Sequence, residues 1–327
     1  MISKNRLAVA AISAGLVTSM LGMGAAQADP VGAPSPRAIN GVGSDTTQDV
    51  MNQVANDVAP GGVKALGSWN ATGSATITTK PGCTLNRPNG SGAGVTALNN
   101  SLVANDGCVQ FARSSSGVGA TTPAGLTYIP FATDSVSYAV TSTSGIPRAL
   151  TKANLIAIYH CDPTLVGTGP NWDITPVLPQ SGSGTRSYWE GQMGILDADV
   201  NANAYPCIIN GSKNGQLIEE HSGTAMDDKS IEPYSIAQYT DQSNGLVIDK
   251  RGRTTLGVID GTDPQLSNGN FSVKRNVYNV IPTSKVADST YASIFVGAGS
   301  LICADSATIV HYGFGVNPNC GDTSSHS

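Results

Sequence analysis

The chain has 327 residues, 13% of them charged, and Gly, Ser, Thr and Asn are abundant. That length exceeds what one core normally serves, so one large domain or two intertwined ones are both open. The net charge of −5 argues against nucleic acid as the main partner, and any anionic ligand would have to be held by local donors rather than by the field of the whole protein.

Lys4 and Arg6 precede a charge-free apolar run, Leu7 to Ala26, and Ala26-Gln27-Ala28 has the small-x-small form of a cleavage site. Residues 1–28 therefore read as a signal peptide, cleaved near Ala28. Its removal takes two positive charges from the 18 Lys+Arg, leaving 16 against 23 Asp+Glu, or −7. No Cys sits at the boundary, so lipid attachment there has no support, and no later segment is long enough to span a bilayer. The expected location is secreted, either extracellular or periplasmic. The ends of the mature chain, 29–36 and 321–327, read as disordered.

Residues 39–59 read as a short strand, a tight Gly turn and a helix with Val50, Met51, Val54, Ala55 and Val58 on one stripe. Asp45 and Gln48 make a capping-box-like pair at its start. "GSGAGVTALNNSL" (90–102) repeats the design. "VQFARSSSG" (109–117) reads as a strand ending in hydroxyls and one Arg. "TYIPFATDSVSYAVTS" (127–142) reads as two β runs broken at Thr133-Asp134. Residues 150–161 form a helix capped by Thr151. Residues 172–196 repeat strand, Gly loop and helix, with Tyr188, Trp189 and Met193 apolar. Pro233 marks the first turn of a short helix in 231–240, 276–287 is a strand, and 304–315 is a last helix. Alternating strands and helices predict α/β layers with parallel pairing.

Cys83, Cys108, Cys161, Cys207, Cys303 and Cys320 include no CxxC or CxxH arrangement, so neither a zinc site nor a cofactor is expected. An even number in an exported chain favours disulfides. Six cysteines allow about fifteen pairings, and we prefer neighbours, 83–108, 161–207 and 303–320, because each staples a Gly/Pro/Asn-rich stretch.

A glycine/hydroxyl loop before a helix recurs at 42–46, 90–94 and 181–186, with a further hydroxyl cluster at 113–116. A helix start leaves backbone N–H groups unpaired and carries partial positive charge, and glycines let an anion approach them. Ordinary capping explains any one of these loops; their recurrence points to a ligand. Arg113 and Arg186 are either charged forks for that ligand or salt-bridge partners. A hydrolase is the rival. GxSxG is absent, and among the four histidines only His221, in "EEHSGTAMDD", lies in a polar loop. "MDD" (226–228) reads as a solvated turn rather than a metal site.

The stretches "GVGSDTTQDVM", "GSGAGVTAL", "FARSSSG" and "SGSGTRSYWE", in this order, resemble the phosphate-binding proteins of ABC transporters, within the periplasmic-binding-protein-like superfamily. "LTKANLIAIY" and Trp172 resemble the segment before the last loop. The resemblance covers most of 38–315. It implies a two-lobed α/β type II fold with two crossovers, near 131–134 and 279–282, and a ligand cleft. Lobe 1 would be 29–132 with 281–327, and lobe 2 would be 133–280. It implies anion contacts from Ser44, Asp45, Thr46, Ser91, Gly92, Ser114, Ser115, Ser183, Gly184 and Thr185.

The family usually carries an Arg shortly before the last loop, oriented by an Asp; Pro179 and Ser181 stand there. Its Asp acceptor in the third motif is Ser115 here. Arg113 and Arg186 would then supply the charge, and Asp45 the acceptor. The expected function is a secreted solute-binding protein for a small oxyanion, phosphate foremost, serving uptake with an ABC permease. It is expected to be monomeric, with no catalytic residue. The alternatives are a secreted phosphatase or hydrolase, and a surface interaction protein.

Overall fold

Leu126–Thr141 is one unbroken strand of 16 residues, almost entirely buried. It belongs to a computed structural model that describes residues 29–30, 35–265 and 271–327; the expected signal peptide lies outside the described residues. The polar pair Thr133-Asp134 does not break the strand, because Asp134 is paired inside the fold with Arg275. A partnered charge can stay in a buried strand where a lone one would be expelled.

The large sheet runs Leu66–Ser68, Ile39–Gly43, Phe111–Ser114, Lys274–Pro282, Leu126–Thr141, Ser230–Ser235, Thr175–Leu178 and Ile209–Asn210. Pairing is parallel in both flanks and antiparallel in the middle, so the sheet is mixed rather than all parallel. Lys274–Pro282 lies along Leu126–Thr141, with Lys274 opposite Ser135 and Pro282 opposite Leu126, and the register shifts between Val277 and Tyr278. These two long strands are the only ones that run from one half of the molecule into the other among the described residues. They connect separate cores. One is built on Ile39, Met51, Phe111, Phe131, Phe295 and Ile309. Another lies under the helix Ser91–Ala104, with Val42, Val95, Leu98 and Tyr128. The core of the other half holds Tyr138, Tyr159, Trp189, Met193 and Ile231.

Three details correct the sequence reading. Pro233 sits within the strand Ser230–Ser235, opposite Tyr138, and the helix begins only at Ile236. The helix Gln48–Asp57 has Thr47 at its N-cap with no side-chain cap, and the Gln48 side chain instead accepts from the Ala71 N–H at 3.0 Å. The C-terminal residues are tied down: the N–H of Tyr128 donates to the carbonyl of Ser325 (2.8 Å) and that of Ser327 to Leu126 (3.0 Å).

The helix Lys152–Tyr159 carries the expected cap, here a full capping box of Thr151 and Asn154. Disulfides join Cys83 to Cys108, Cys161 to Cys207 and Cys303 to Cys320. No described helix is long and apolar enough to cross a membrane.

Candidate functional site

Four loops meet where the halves face each other. The first follows Ile39–Gly43 and bears Ser44, Asp45 and Thr46. The second is the start of Ser91–Ala104, and the third follows Phe111–Ser114. The fourth is the start of the helix Gly184–Met193, which is anchored in its core by Trp189 and Met193. Full burial of a side chain such as Met193 contributes about 1.5–3 kcal/mol, so this helix start is held in place independently of any ligand.

The hydroxyls of Thr46, Ser91, Ser115, Ser183 and Thr185 are all buried here. Thr46 Oγ1 lies 3.2 Å from Ser115 Oγ and 3.4 Å from Thr185 Oγ1. Ser91 Oγ is 3.3 Å from Ser115 Oγ and accepts from the Ser115 N–H at 3.0 Å. Gly184 makes the approach possible: a Cβ there would fall 2.3 Å from Ser115 Oγ and 2.4 Å from Ser91 Oγ. The Gly92 N–H is already taken by the Gly182 carbonyl at 3.0 Å, which joins the halves directly.

The other sequence candidates lie at the margin. Ser114 Oγ donates to the Ser116 carbonyl (2.7 Å). Arg113 is fully buried behind the first loop, donating to the Ser44 carbonyl (3.1 Å) and Ser68 Oγ (2.9 Å). Burial pushes its pKa down to about 10, and it braces the loop through a carbonyl. Arg186 turns away from the hydroxyls. It donates to Glu190 Oε1 (2.8 Å), the Pro179 carbonyl (3.0 Å) and Asn210, and pairs with Asp197 at 2.6 Å.

The guanidinium at the cluster belongs to Arg275, on the second long strand. Its Nη2 donates to Thr185 Oγ1 (2.7 Å) and to Asp134 Oδ2 (2.8 Å), and its Nε also reaches Asp134 (3.2 Å). Asp134 further accepts from Ser235 Oγ (3.0 Å) and the Ala237 N–H (3.3 Å). An Arg oriented by an Asp is therefore present, from strand positions that no loop motif marks.

A second residue carried no sequence signal. Glu220 is fully buried. Its Oε1 accepts from Thr46 Oγ1 and its Oε2 from Ser183 Oγ at 3.2 Å. Burial alone would raise this carboxyl, but His221, the Thr46 hydroxyl and Arg275 outweigh it and hold it below its usual range. Asp45 moves the other way, to about 7, through burial first and then the neighbouring Glu220 charge. Its Oδ1 accepts the Thr46 N–H at 3.1 Å.

Residues 30–284 match the PBP superfamily domain. The chain belongs to the PBP superfamily. This member shares 16% identity and a TM-score of 0.53 with a putative phosphate ABC transporter substrate-binding protein with bound phosphate from Clostridium perfringens, covering 85% of this chain and 99% of the other. It shares 18% identity and a TM-score of 0.53 with an ABC-type phosphate transport receptor from Vibrio cholerae, covering 85% and 100%. At these identities the likeness shows the fold. No curated protein sequence matches this PBP-superfamily chain.

Proposed function

We propose that this protein binds a small protonated oxyanion, phosphate foremost, in the hydroxyl cluster between its lobes, as the solute-binding partner of an ABC permease. One observation carries the reading: hydroxyls from opposite halves, Thr46 and Ser183, already converge on a carboxylate, Glu220. The donors are arranged to solvate negative oxygens. Arg275 adds fixed positive charge, held by Asp134. Glu220 adds what a protonated anion needs and sulfate lacks a use for, an acceptor. Binding rather than hydrolysis is favoured because Ser183 is hydrogen-bonded to that carboxylate and not to an imidazole. In this reading the lobes are 29–132 with 281–327, and 133–280, and the chain acts as a secreted monomer after cleavage near Ala28.

Calorimetric titration with phosphate, sulfate and arsenate tests this. Phosphate and arsenate should bind and sulfate should bind more weakly. Thr185→Val keeps the β-branched shape but removes the hydroxyl, and should weaken phosphate by about 1–3 kcal/mol, the cost typical of a hydrogen bond to a charged group. Glu220→Gln should narrow the preference for phosphate over sulfate. A parent that binds none of the three anions, or a Thr185→Val variant that binds phosphate as the parent does, reduces the loop at 183–185 to a helix cap.

A further inference from the structure

The tight turn at 219–222 presents Glu219, Glu220 and His221, and the hydroxyl cluster uses only Glu220. The turn is pinned by its backbone. The Ser222 N–H donates to the Glu219 carbonyl (2.9 Å), the Ser235 N–H to the Glu220 carbonyl (3.0 Å), and Gln242 Nε2 to the His221 carbonyl (2.8 Å). The side chain of His221 is only 4% exposed as a residue, yet neither ring nitrogen has a hydrogen-bond partner. Its Nδ1 lies 3.7 Å from Asp45 Oδ2 and its Nε2 lies 3.5 Å from Glu219 Oε2. Asp45 Oδ2 is likewise buried without a partner.

Buried polar groups are ordinarily satisfied, and these separations are longer than hydrogen bonds. They suit a different bond. Ligands held about 2.0–2.1 Å from a tetrahedral zinc ion stand roughly 3.3 Å apart; Asp45 and Glu219 face different nitrogens of the ring, so one nitrogen would take the ion and the carboxylate now facing the other would turn toward it. One nitrogen of His221 and one oxygen each of Asp45 and Glu219 all lie within 4.8 Å of one another. Three carboxylates, those of Asp45, Glu219 and Glu220, crowd one imidazole, and buried negative charge is costly unless paired. Arg275 offsets part of that charge at Glu220, but its hydrogen bonds go to Asp134 and Thr185 and to none of these three carboxylates. His221 also lines a cavity of about 650 Å³, together with Gln48, Asp49, Gln242 and Tyr312.

We propose that Asp45, Glu219 and His221 form a site for a divalent transition cation of the zinc type. The imidazole and carboxylate donor set selects such an ion over magnesium or calcium. Three protein ligands leave a further position for solvent or a ligand oxygen. The disulfide-bonded cysteines contribute nothing. Spacing along the chain gave no hint of the site, because Asp45 sits in the first loop of one half and the turn at 219–222 in the other. The proposal does not rest on the anion reading, although Thr46 and Glu220 adjoin both.

The test uses the full chain in chelator-treated, phosphate-free buffer, titrated with zinc alone by calorimetry and with cobalt(II) as an optical and NMR probe. The parent should bind about one zinc per chain, and its cobalt form should show d–d absorption and a hyperfine-shifted imidazole N–H resonance. His221→Ala, His221→Gln and Asp45→Asn should each lower zinc affinity by at least about 10-fold, the loss that even an outer partner of a metal ligand causes. Thr185→Val, which impairs the anion site, should leave zinc affinity unchanged, so failure of one reading is separable from failure of the other. Absence of stoichiometric zinc binding by the parent would overturn the proposal. So would parent-like affinity in a folded His221→Ala or His221→Gln variant. If neither variant folds, a cobalt-loaded parent without a shifted imidazole resonance overturns it.

Discussion

Arg186 and Arg275 are both buried guanidiniums, 1% and 6% exposed, but only one faces the hydroxyl cluster. Adjacency to the hydroxyl loop in sequence favoured Arg186. Its helix position decides otherwise: Glu190 is one turn on, in hydrogen-bond reach, and draws the side chain back along the helix. Arg275→Ala should therefore weaken phosphate binding at least as much as Thr185→Val, since charge-assisted bonds are roughly twice as strong as neutral ones. Arg275→Ala also strips the buried Asp134 of its partner, so it should lower stability as well, whereas Arg186→Ala should act on stability and not on the anion. Removing one member of a buried pair leaves the other charge uncompensated, at about 3–5 kcal/mol. Denaturation and calorimetry on both variants check this; the assignment fails if Arg186→Ala folds with parent stability but loses the anion. The loops bearing Ser44–Thr46, Ser91, Ser115 and Ser183–Thr185 were legible because glycine and hydroxyls before a helix leave a local pattern. Arg275, Asp134 and Glu220 leave none, because each acts through a neighbour far away in the chain.

Among the elements, the helix Ile236–Ser243 shows why local reading has limits. Pro233 suggests a helix start, yet the residue fits the strand Ser230–Ser235, and Ser235 caps the helix by accepting from the Gln238 N–H. The same helix buries Asp241 with both carboxylate oxygens unpartnered. Burial, and then the charge of Asp49, raise its pKa from 3.8 to about 9. The folded state thus holds this proton long after the unfolded chain has released it. Its contribution to stability is full below the unfolded value of 3.8 and is lost as pH rises through the folded value of about 9. Asp241→Asn keeps the shape and cannot ionise. It should raise the melting temperature at pH 8 and flatten the decline between pH 5 and pH 8. Thermal unfolding of parent and variant across that range is the measurement, and parallel curves would show that Asp241 is solvated or paired in solution.

At the scale of the whole molecule, the α/β layering was legible from alternating elements and the two lobes from the family resemblance, whereas the mixed sheet was not. Parallel flanks follow from strand-helix-strand units. The antiparallel centre follows from the long strands Leu126–Thr141 and Lys274–Pro282, which run in opposite directions between the halves. Among the described residues these strands, the facing loops and the helix Ile236–Ser243 join the lobes, so a change of interlobe distance is the natural large motion of the fold. The halves are in close contact here, through Gln238 Nε2 of the helix Ile236–Ser243 to the Thr46 carbonyl (2.8 Å) and Gly92 N–H to the Gly182 carbonyl (3.0 Å). Gly184 sits at the tightest point. Alanine is the better helix former by about 1 kcal/mol, so Gly184→Ala should not harm its own helix. The added methyl would nevertheless meet Ser115 Oγ at 2.3 Å, Ser91 Oγ at 2.4 Å and the Ser116 nitrogen at 3.0 Å, all in the opposite lobe. The backbone nitrogen cannot rotate aside as a hydroxyl can. The variant should fold with near-parent stability, hold its lobes apart and bind phosphate weakly. Small-angle scattering should then show a radius of gyration that falls with phosphate in the parent and stays large in Gly184→Ala. Parent-like compaction together with parent-like affinity in the variant would mean that the close approach at Gly184 is dispensable for the anion site.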